Sequence, residues 1–280
     1  MPRAWLRDAL ASGDLVVAPG CYDVVGARVL EGAGIGTAYL TPFGFQAAEA
    51  AAPGDPWHRY LDRARELVDV AGLAVVVDAQ GGLEGARDVR TRVRDAVGAG
   101  AAAVVIEDRD GFGKDRPLRT AEEMAADIAA ARAEIGDDTT LIVRTDAVRE
   151  SVETARERCL SYLDGGADLV MPLMTRYLNY PDTPADRARR MSAYQFLLER
   201  VPPGRVVVHS PTGRHLPVDE ARRLGFALYL MSQLLIAASV TGMARELAAV
   251  LADEPGPVPL PSPTELAALT GVDQWLENRW

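Results

Sequence analysis

Lysine is almost absent from this chain of 280 residues. Of its 30 basic residues, 29 are arginine and only Lys114 is lysine. A mechanism that proceeds through a Schiff base therefore has a single candidate nucleophile. Lys114 lies in the glycine-flanked segment DGFGKD, whereas catalytic amines are normally held on rigid elements. We therefore expect no Schiff-base chemistry and retain Lys114 only as a candidate for proton transfer.

Cysteine is also scarce, since the chain has only Cys21 and Cys159. Two cysteines are too few for a disulfide scaffold and are typical of an enzyme from a reducing compartment. The N-terminal sequence MPRAWLRDALASGD lacks the long apolar core of a secretory signal. The longest apolar stretch, FALYLMSQLLIAASV from Phe226, is broken by Ser232 and Gln233, and it is shorter than the roughly 18 residues that a membrane span needs. We expect a soluble cytoplasmic protein with no membrane partner, in which this stretch forms a buried strand and a buried helix.

Basic residues are also fewer than acidic residues. The chain has 40 acidic and 30 basic residues, which gives a net charge of −10 at pH 7. Because an acidic surface repels phosphate backbones, we expect no nucleic-acid partner. Hydrophobic residues make up 48% of the chain, and this supply of apolar surface excludes disorder as its main state.

Short apolar runs recur along the chain, and each is followed by a longer amphipathic stretch. The runs are continuous and mostly rich in β-branched residues, which is typical of strands buried on both faces of a parallel sheet. Many of the amphipathic stretches run into a glycine turn that leads into the next run. This pattern predicts a single (β/α)8 barrel over residues 1–280, with a doubly wound open sheet as the alternative. The eight runs are LVVAP from Leu15, GTAYLT from Gly36, LAVVVD from Leu73, AAVVIE from Ala102, TLIVR from Thr140, ADLVMP from Ala167, RVVVH from Arg205 and FALYL from Phe226.

The C-terminal tail, about residues 252–280, has a different composition. It is proline-rich up to Pro263, and Ser262 with Glu265 then forms a capping-box pattern that predicts a helix. Trp275 and Trp280 lie close to the C-terminus and need a surface that buries them. Either the barrel or a neighbouring subunit could provide that surface.

Charged residues end three consecutive predicted strands. Asp78, Glu107 and Arg144 are the last residues of the third, fourth and fifth runs. In such a barrel the active site lies at the carboxyl ends of the strands, so the three side chains should share one cavity. Mg²⁺ binds one or two carboxylates together with waters and substrate oxygens, and a nearby arginine binds a substrate carboxylate. A single acid at a strand end usually faces solvent or caps a helix, but this combination predicts an enzyme site.

Other residues carry weaker signals. His209 ends the seventh run, where it either takes part in acid/base chemistry or fills a structural position. The glycine-rich segments GGLEG and DGFG lack the spacing of a dinucleotide or P-loop fingerprint, so no nucleotide cofactor is expected.

Several segments together resemble the isocitrate lyase/phosphoenolpyruvate mutase superfamily. In chain order they are PGCYDVVGARVLEGAGIGTAYLT, VVVDAQGG, VVIEDRD, TAEEMAADIAAA, LIVRTDA, ARERCLSYLDGGADLVMP and LGFALYLMSQLLIAA. The resemblance implies a barrel whose last helices swap between subunits of a homo-oligomer, a dimer or a tetramer. It also implies that C–C or P–C bonds of small 2-oxo or 2-hydroxy acids are made or broken with the help of Mg²⁺, or alternatively Mn²⁺.

The resemblance assigns roles to individual residues. Asp78 matches an acid that contacts Mg²⁺, and Glu107 matches a second acid that holds metal-bound water. Arg144 matches the arginine that binds the substrate carboxylate. Tyr22 falls on the motif after the first strand and is a catalytic candidate. Asp55 matches an acidic metal ligand in the loop after the second strand, although the segment that follows it is shorter than in the family.

The chain departs from the family pattern at the rim of the predicted site. Gln80 stands where the family has a second aspartate, so a metal-ligand candidate has lost its charge. The loop RDGFGKDRPLR is short and lacks the cysteine that many members use as an acid. Thr41 and Pro42 replace the usual Ser-Gly, and with Phe43 they are candidates for substrate binding.

Two further departures change the polarity of the rim. Leu173 replaces a frequent polar residue after the sixth strand, and His209 replaces a frequent asparagine after the seventh. The missing cysteine argues against cleavage of isocitrate or methylisocitrate. Leu173 and Phe43 together favour a less polar substrate.

These observations lead to three hypotheses. In the first, the protein is a Mg²⁺-dependent lyase or related enzyme that acts on a small 2-oxo or 2-hydroxy acid through an enolate. Asp78, Glu107, Gln80 and Asp55 would hold the metal, Arg144 would bind the carboxylate, and His209 or Lys114 would move protons. In the second, the barrel is a metal-independent enzyme of specialised biosynthesis. In the third, it is a non-catalytic protein that binds small acids.

Overall fold

A computed structural model describes residues 2–49, 55–79, 88–109, 117–174, 177–178, 182–256 and 259–272. Eight strands occur within these ranges: β1 Val16–Pro19, β2 Thr37–Leu40, β3 Ala74–Asp78, β4 Ala103–Glu107, β5 Thr140–Thr145, β6 Leu169–Pro172, β7 Val207–His209 and β8 Leu228–Met231. The α-helices of the described chain are α1 Pro2–Ala11, α2 Val24–Gly32, α3 Pro42–Glu49, α4 Pro56–Ala71, α5 Val89–Gly98, α6 Ala121–Glu134, α7 Val152–Asp164, α8 Pro184–Leu198, α9 Val218–Arg223, α10 Leu234–Leu251 and α11 Pro263–Thr270. Each predicted apolar run coincides with one of the strands, and β5 and β8 each extend one residue beyond their runs.

The eight strands are parallel and close into a barrel. One hydrogen-bonded block has the order β2-β3-β4-β5-β6, and a second has the order β1-β8-β7. Isolated parallel bridges join the blocks, between Gly20 and Tyr39 on one side and between Val170 and Val206 on the other. Closure in chain order, with helices between the strands, is the (β/α)8 architecture. The predicted barrel is therefore confirmed over the doubly wound alternative.

The strands bury both of their faces in two separate apolar clusters. The inner cluster fills the barrel with alternate strand residues such as Val76, Val105 and Ile142, and Leu6 of α1 also belongs to it. The outer cluster lies between the strands and the helices and contains the residues in between, such as Val75 and Val104. Successive side chains of a strand point to opposite faces, so burial on both faces explains why the runs are continuously apolar.

Local sequence signals set the ends of the helices. Asp55 caps α4 by accepting a hydrogen bond from the Trp57 N–H, and Thr120 forms a capping box with Glu123 at the start of α6. The predicted capping box of the tail is present at the start of α11. The glycine turns adopt left-handed backbone conformations, which glycine tolerates best. Their φ angles are 73° at Gly34, 96° at Gly100, 108° at Gly166 and 75° at Gly225.

Helix α10 corrects one expectation. The strand of the long apolar stretch, β8, is buried as predicted, but none of the residues of α10 is buried in the isolated chain. Its exposed apolar side chains include Val240, Met243, Leu247 and Val250. These positions are spaced by three or four residues, so they form one stripe along the helix. The sequence signal was correct about the helix, but it could not show that the described part of the chain leaves this stripe exposed.

Among the described residues, α10 is the one helix that is long and apolar enough to cross a membrane by length and composition. Its mean hydropathy is 1.6 over 18 residues. Helices of soluble proteins also pass this test. Trp275 and Trp280, which the sequence singled out in the tail, lie outside the described residues.

Candidate active site

A cavity of about 250 Å³ opens at the carboxyl ends of the strands. Its walls come from the ends of β2 to β8, which is where the sequence placed the site. The lining residues are Tyr39, Thr41, Pro42, Phe43, Asp78, Glu107, Arg144, Met171, Leu173, His209, Pro211, Ser232 and Gln233.

The strand period explains which side chains enter the cavity. Val76, Val105, Ile142 and Val207 all belong to the cluster inside the barrel. Two residues further along each strand the side chain returns to the same face, and those positions are Asp78, Glu107, Arg144 and His209. The cavity is therefore the polar continuation of the apolar barrel interior.

Two tyrosines organise the surroundings of Asp78. The Tyr39 hydroxyl donates to Asp78 Oδ2 at 3.2 Å. The Tyr60 hydroxyl lies 2.6 Å from the carbonyl oxygen of Leu40 and 3.0 Å from that of Asp78, which ties the ends of β2 and β3 together. Burial, followed by the nearby charge of Asp78, raises the pKa of Tyr39 well above its ordinary value. Tyr39 therefore keeps its proton and remains a hydrogen-bond donor.

Arg144 connects two carboxylates at the ends of β4 and β5. Its Nη1 lies 2.9 Å from Glu107 Oε2, and its Nη2 lies 2.9 Å from Asp146 Oδ1. Its Nε also donates to Asp146 Oδ1 at 2.9 Å. On the far side of Asp146, Arg109 Nε lies 3.5 Å from Oδ2. Contacts with Glu107 and Asp146 thus fix the position of the guanidinium in the absence of a ligand.

Burial and neighbouring charges shift the protonation of this cluster. Desolvation raises the pKa of Glu107 above its ordinary value; Arg144 opposes this shift, while Asp78 and Asp146 add to it. For Arg144, burial disfavours the charge, but Glu107, Asp146 and Asp78 outweigh it and raise the pKa. Arg144 is therefore a permanent cation. The raised pKa of Glu107 results mainly from burial and to a smaller extent from the neighbouring carboxylates, and a further cation would oppose both effects.

His209 and Ser232 face this cluster from β7 and from the end of β8. His209 Nε2 lies 2.9 Å from Ser232 Oγ, whereas the buried Nδ1 has no hydrogen-bond partner among the described residues. Desolvation, with smaller contributions from Arg144 and His215, lowers the pKa of His209 to about 3. The imidazole is therefore neutral at pH 7 and acts through hydrogen bonds rather than charge.

The structure brings some of the other predicted residues to the cavity and leaves others elsewhere. Thr41, Pro42 and Phe43 line it, as expected. Tyr22 and Asp55 are not among the lining residues; the Tyr22 hydroxyl donates to Ser239 Oγ at 3.0 Å, and Asp55 caps α4 and pairs with His58. Gln80 and Lys114 lie outside the described residues.

Sequence reasoning missed six residues of the site. Tyr39, Met171, Pro211, Ser232 and Gln233 line the cavity, and Asp146 holds Arg144. Alternation along the strands could have found Tyr39, Met171 and Ser232, since each lies on the inner parity of its strand or just beyond its end. Asp146 was visible in the segment RTDA, but its role depends on a contact with Arg144 that no spacing rule supplies.

The donor set of the cavity fits a hard divalent cation. Asp78 and Glu107 present carboxylate oxygens and are both buried, and oxygen ligands suit Mg²⁺ and Mn²⁺. Among the described residues, no group of three or more His, Cys, Asp or Glu side chains is placed to hold a metal. A cation here would complete its coordination with water or substrate oxygens, as Mg²⁺ commonly does.

Comparisons with known proteins identify relatives of this chain. The chain is 32% identical over 177 residues to 2,3-dimethylmalate lyase from Eubacterium barkeri, covering 60% of this chain and 61% of that protein. It is 34% identical over 185 residues to isocitrate lyase from Haloferax volcanii, covering 60% of this chain and 52% of that protein. Both matches therefore span less than two thirds of the relatives' length.

The fold matches over its whole length. A crystal structure of phosphonopyruvate hydrolase in complex with oxalate and Mg²⁺ superposes with a TM-score of 0.81 at 24% identity, over 99% of this chain and 98% of that one. The family model described as phosphoenolpyruvate phosphomutase matches residues 6–251. The barrel, the order of its strand-end motifs and this match together show that the chain belongs to the phosphoenolpyruvate phosphomutase family, within the isocitrate lyase/phosphoenolpyruvate mutase superfamily.

Proposed function

We propose that this protein is a Mg²⁺-dependent enzyme that makes or breaks a C–C or P–C bond in a small 2-oxo or 2-hydroxy acid through an enolate. One observation carries the proposal: Asp78, Glu107 and Arg144, from three neighbouring strands, line a single cavity. Two buried carboxylates beside a fixed guanidinium can bind a divalent cation and an organic anion at adjacent positions.

The names of the relatives support the reaction class. They include a lyase for dimethylmalate and one for isocitrate, and phosphonopyruvate hydrolase has been crystallised with oxalate and Mg²⁺. These compounds share a carboxylate next to an oxidised or oxidisable carbon. We extend the common chemistry to this chain, and the specific substrates remain properties of the relatives.

The chain's own residues would position the substrate. Arg144 would bind its carboxylate, and Asp146 and Arg109 would keep the guanidinium in place. Asp78 and Glu107 would hold the metal, which supplies a Lewis acid that polarises the 2-oxo group and favours the enolate. The Tyr39 hydroxyl would keep Asp78 in the orientation that ligation requires.

His209 is better suited to hydrogen bonding than to moving protons. A pKa of about 3 makes the imidazole a weak base at neutral pH, and it carries no proton to donate as an imidazolium. We propose that the pair formed by His209 and Ser232 contacts substrate as neutral groups. Lys114 stays a candidate for proton transfer on the sequence argument alone.

Metal and anion binding provide a direct test. Titration of the protein with Mn²⁺, followed by electron paramagnetic resonance, should reveal one tight site, and EDTA should remove both the site and activity. Asp78→Asn should weaken Mn²⁺ binding by at least about tenfold, because it replaces a ligand and not only an outer partner. Asp69→Asn is a matched control, since Asp69 is an exposed carboxylate on α4. Turnover that survives EDTA would exclude the proposal.

One observation favours a second candidate, a metal-independent enzyme. Arg144 already pairs with Glu107 at 2.9 Å, so part of the acidic charge is neutralised without a metal. In that case the site would bind a small carboxylate through Arg144 alone. Oxalate binding measured by calorimetry, with and without Mg²⁺, separates the two: equal affinities favour the metal-independent enzyme.

We also propose that the protein is a cytoplasmic homo-oligomer. The apolar stripe of α10, with Met243, Leu247 and Val250 more than half exposed, is the kind of surface that subunits bury. Light scattering coupled to size-exclusion chromatography should give a mass above that of one chain. Leu247→Glu should shift it toward the monomer, and a monomeric wild type would contradict the proposal.

A further inference from the structure

The mouth of the cavity is divided by charge. The ends of β3, β4 and β5 supply Asp78, Glu107 and Arg144. The ends of β6, β7 and β8 supply Met171, Leu173, His209, Pro211, Ser232 and Gln233, and the end of β2 adds Tyr39, Thr41, Pro42 and Phe43. Neither of the latter two groups contains an Asp, Glu, Lys or Arg side chain. Within the described lining, one side therefore carries the ionic side chains and the facing side carries none of them.

Arg144 is the one cation of the described lining, and two carboxylates of the protein already share its charge. Its Nε donates to Asp146 Oδ1, and Nη1 and Nη2 form ion pairs with Glu107 and Asp146 at 2.9 Å. One guanidinium fork matches a single carboxylate. A substrate with a second carboxylate would have to place it where the described chain offers no counter-charge.

At three positions of the neutral side the main chain offers no free donor for an anion. Pro42 and Pro211 have no backbone N–H, and the Leu173 N–H is already bonded to the Thr145 carbonyl at 2.9 Å. Met171 and Leu173 are almost fully buried, at 1% and 5% exposure. Neither side chain is a hydrogen-bond donor, so burying a carboxylate against these two residues costs free energy.

The N-terminus of α3 is a second source of positive potential, but it lies beside the ionic side. α3 starts at Pro42, directly after β2, and β2 pairs with β3, which carries Asp78. Thr41 Oγ1 already accepts from the Gly44 N–H at 3.0 Å. Any contribution of α3 thus adds to the binding of the first carboxylate and leaves the wall of β6 unchanged.

We propose that the preferred ligand is a 2-oxo or 2-hydroxy acid with one carboxylate and an uncharged, branched alkyl group at its other end. The carboxylate and the adjacent oxygen would face Arg144, Asp78 and Glu107, and the alkyl group would contact Met171 and Leu173. This inference rests on the proposed function, because it assumes that the ionic side binds the 2-oxo acid end.

Calorimetry in the presence of Mg²⁺ tests the inference with three ligands. Oxalate reports on the ionic side alone. Oxaloacetate and 4-methyl-2-oxopentanoate share their first three carbons and differ in having a carboxylate or an isopropyl group at the end. We expect 4-methyl-2-oxopentanoate to bind at least about tenfold more tightly than oxaloacetate, since each buried methyl group contributes roughly a fourfold gain.

The outcomes separate the two proposals. If oxalate does not bind, the proposed function fails. If oxalate binds but oxaloacetate binds as tightly as 4-methyl-2-oxopentanoate or more tightly, the proposed function stands and this inference is overturned.

Substitution of Leu173 gives an independent test. Leu173→Lys places a cation on the neutral wall and should reverse the preference in favour of oxaloacetate. Leu173→Met keeps the wall apolar at similar volume and should retain the wild-type preference. An unchanged preference in Leu173→Lys would contradict the inference. If that variant does not fold, the three ligands on the wild-type protein still decide it.

Discussion

Glu107 and Asp108 are consecutive carboxylates at the end of β4, yet they belong to two different regions of the molecule. Glu107 lies on the inner face and lines the cavity, where it contacts Arg144 at 2.9 Å. Asp108 lies on the outer face, fully buried in the layer between the strands and the helices. It accepts hydrogen bonds from Thr145 at 2.6 Å and from Tyr162 at 2.9 Å.

The two carboxylates differ in the surroundings that the protein gives them. On the outer face, Asp108 also accepts from the Asp146 N–H at 2.9 Å and lies 3.2 Å from Arg158 Nη1. All of these partners belong to the protein, so they lock the ends of β4 and β5 to α7. On the inner face, Glu107 instead borders a cavity in which a ligand can supply further contacts. Burial alone therefore does not identify a functional acid. What identifies it is that a ligand can reach it.

The largest effect on stability should come from the outer face. Asp108→Asn replaces a carboxylate that accepts several hydrogen bonds with an amide, whose nitrogen can only donate. It should lower the free energy of unfolding by about 3 kcal/mol, the lower range for breaking a buried ion pair. Urea unfolding measures this change. Unaltered stability combined with a loss of metal binding would instead place Asp108 in the site and remove the contrast.

Glu107→Gln should have the opposite effects, a large loss of ligand affinity and a small change in stability. The amide keeps the shape of the side chain but removes the charge that a metal requires, so oxalate affinity in the presence of Mg²⁺ should fall by roughly tenfold to a hundredfold. Stability should change much less than in Asp108→Asn, because the substitution removes a buried carboxylate whose pKa is already raised. Calorimetry and urea unfolding of both variants test the two halves of the comparison together.

The inner face should also make stability depend on pH through His209. Its pKa is lowered to about 3 in the folded protein, from an ordinary value of 6.5. The unfolded chain therefore takes up a proton below about pH 6.5 that the native state refuses, and stability is lost as pH falls toward 3. Between pH 6.5 and 5 this loss reaches up to about 2 kcal/mol. His209→Gln should remove it, so equal pH slopes of urea unfolding in the two proteins would contradict the assignment.

The smallest effect concerns Asp55, which the family resemblance makes a metal ligand and the structure uses as a helix cap. Asp55→Ala should lower stability by about 1 kcal/mol through loss of the cap on α4. Affinity for Mn²⁺ should stay at the wild-type value. A drop in Mn²⁺ affinity as large as that of Asp78→Asn would show that Asp55 reaches the metal.

Most of the fold was predictable because its signals are local. Eight continuous apolar runs, glycine turns after the helices and the cap at Asp55 each follow from neighbouring residues, and each is present. The ends of β3 to β5 then placed Asp78, Glu107 and Arg144 together without any tertiary information. The fold class fixes which ends of the strands meet.

The remaining features depend on contacts between distant parts of the chain. The lowered pKa of His209 results from its burial beside Arg144, and the role of Asp146 depends on the path of the Arg144 side chain. The exposure of α10 was missed for a related reason: an apolar helix shows that it needs a partner, and its sequence does not say whether the same chain supplies one. Tyr22 and Asp55 matched family motifs, but local hydrogen bonds explain their positions in this chain.

The division of the barrel into two hydrogen-bonded blocks has a consequence for how its pocket can evolve. Asp78, Glu107 and Arg144 lie on the five-stranded block, and His209 lies on the three-stranded block. Isolated bridges, such as that between Val170 and Val206, connect the blocks where the continuous ladders end. Substitutions along these seams could widen or narrow the gap between the blocks while each ladder stays intact. A lineage could thus explore substrates of different bulk without altering the residues proposed to perform the chemistry.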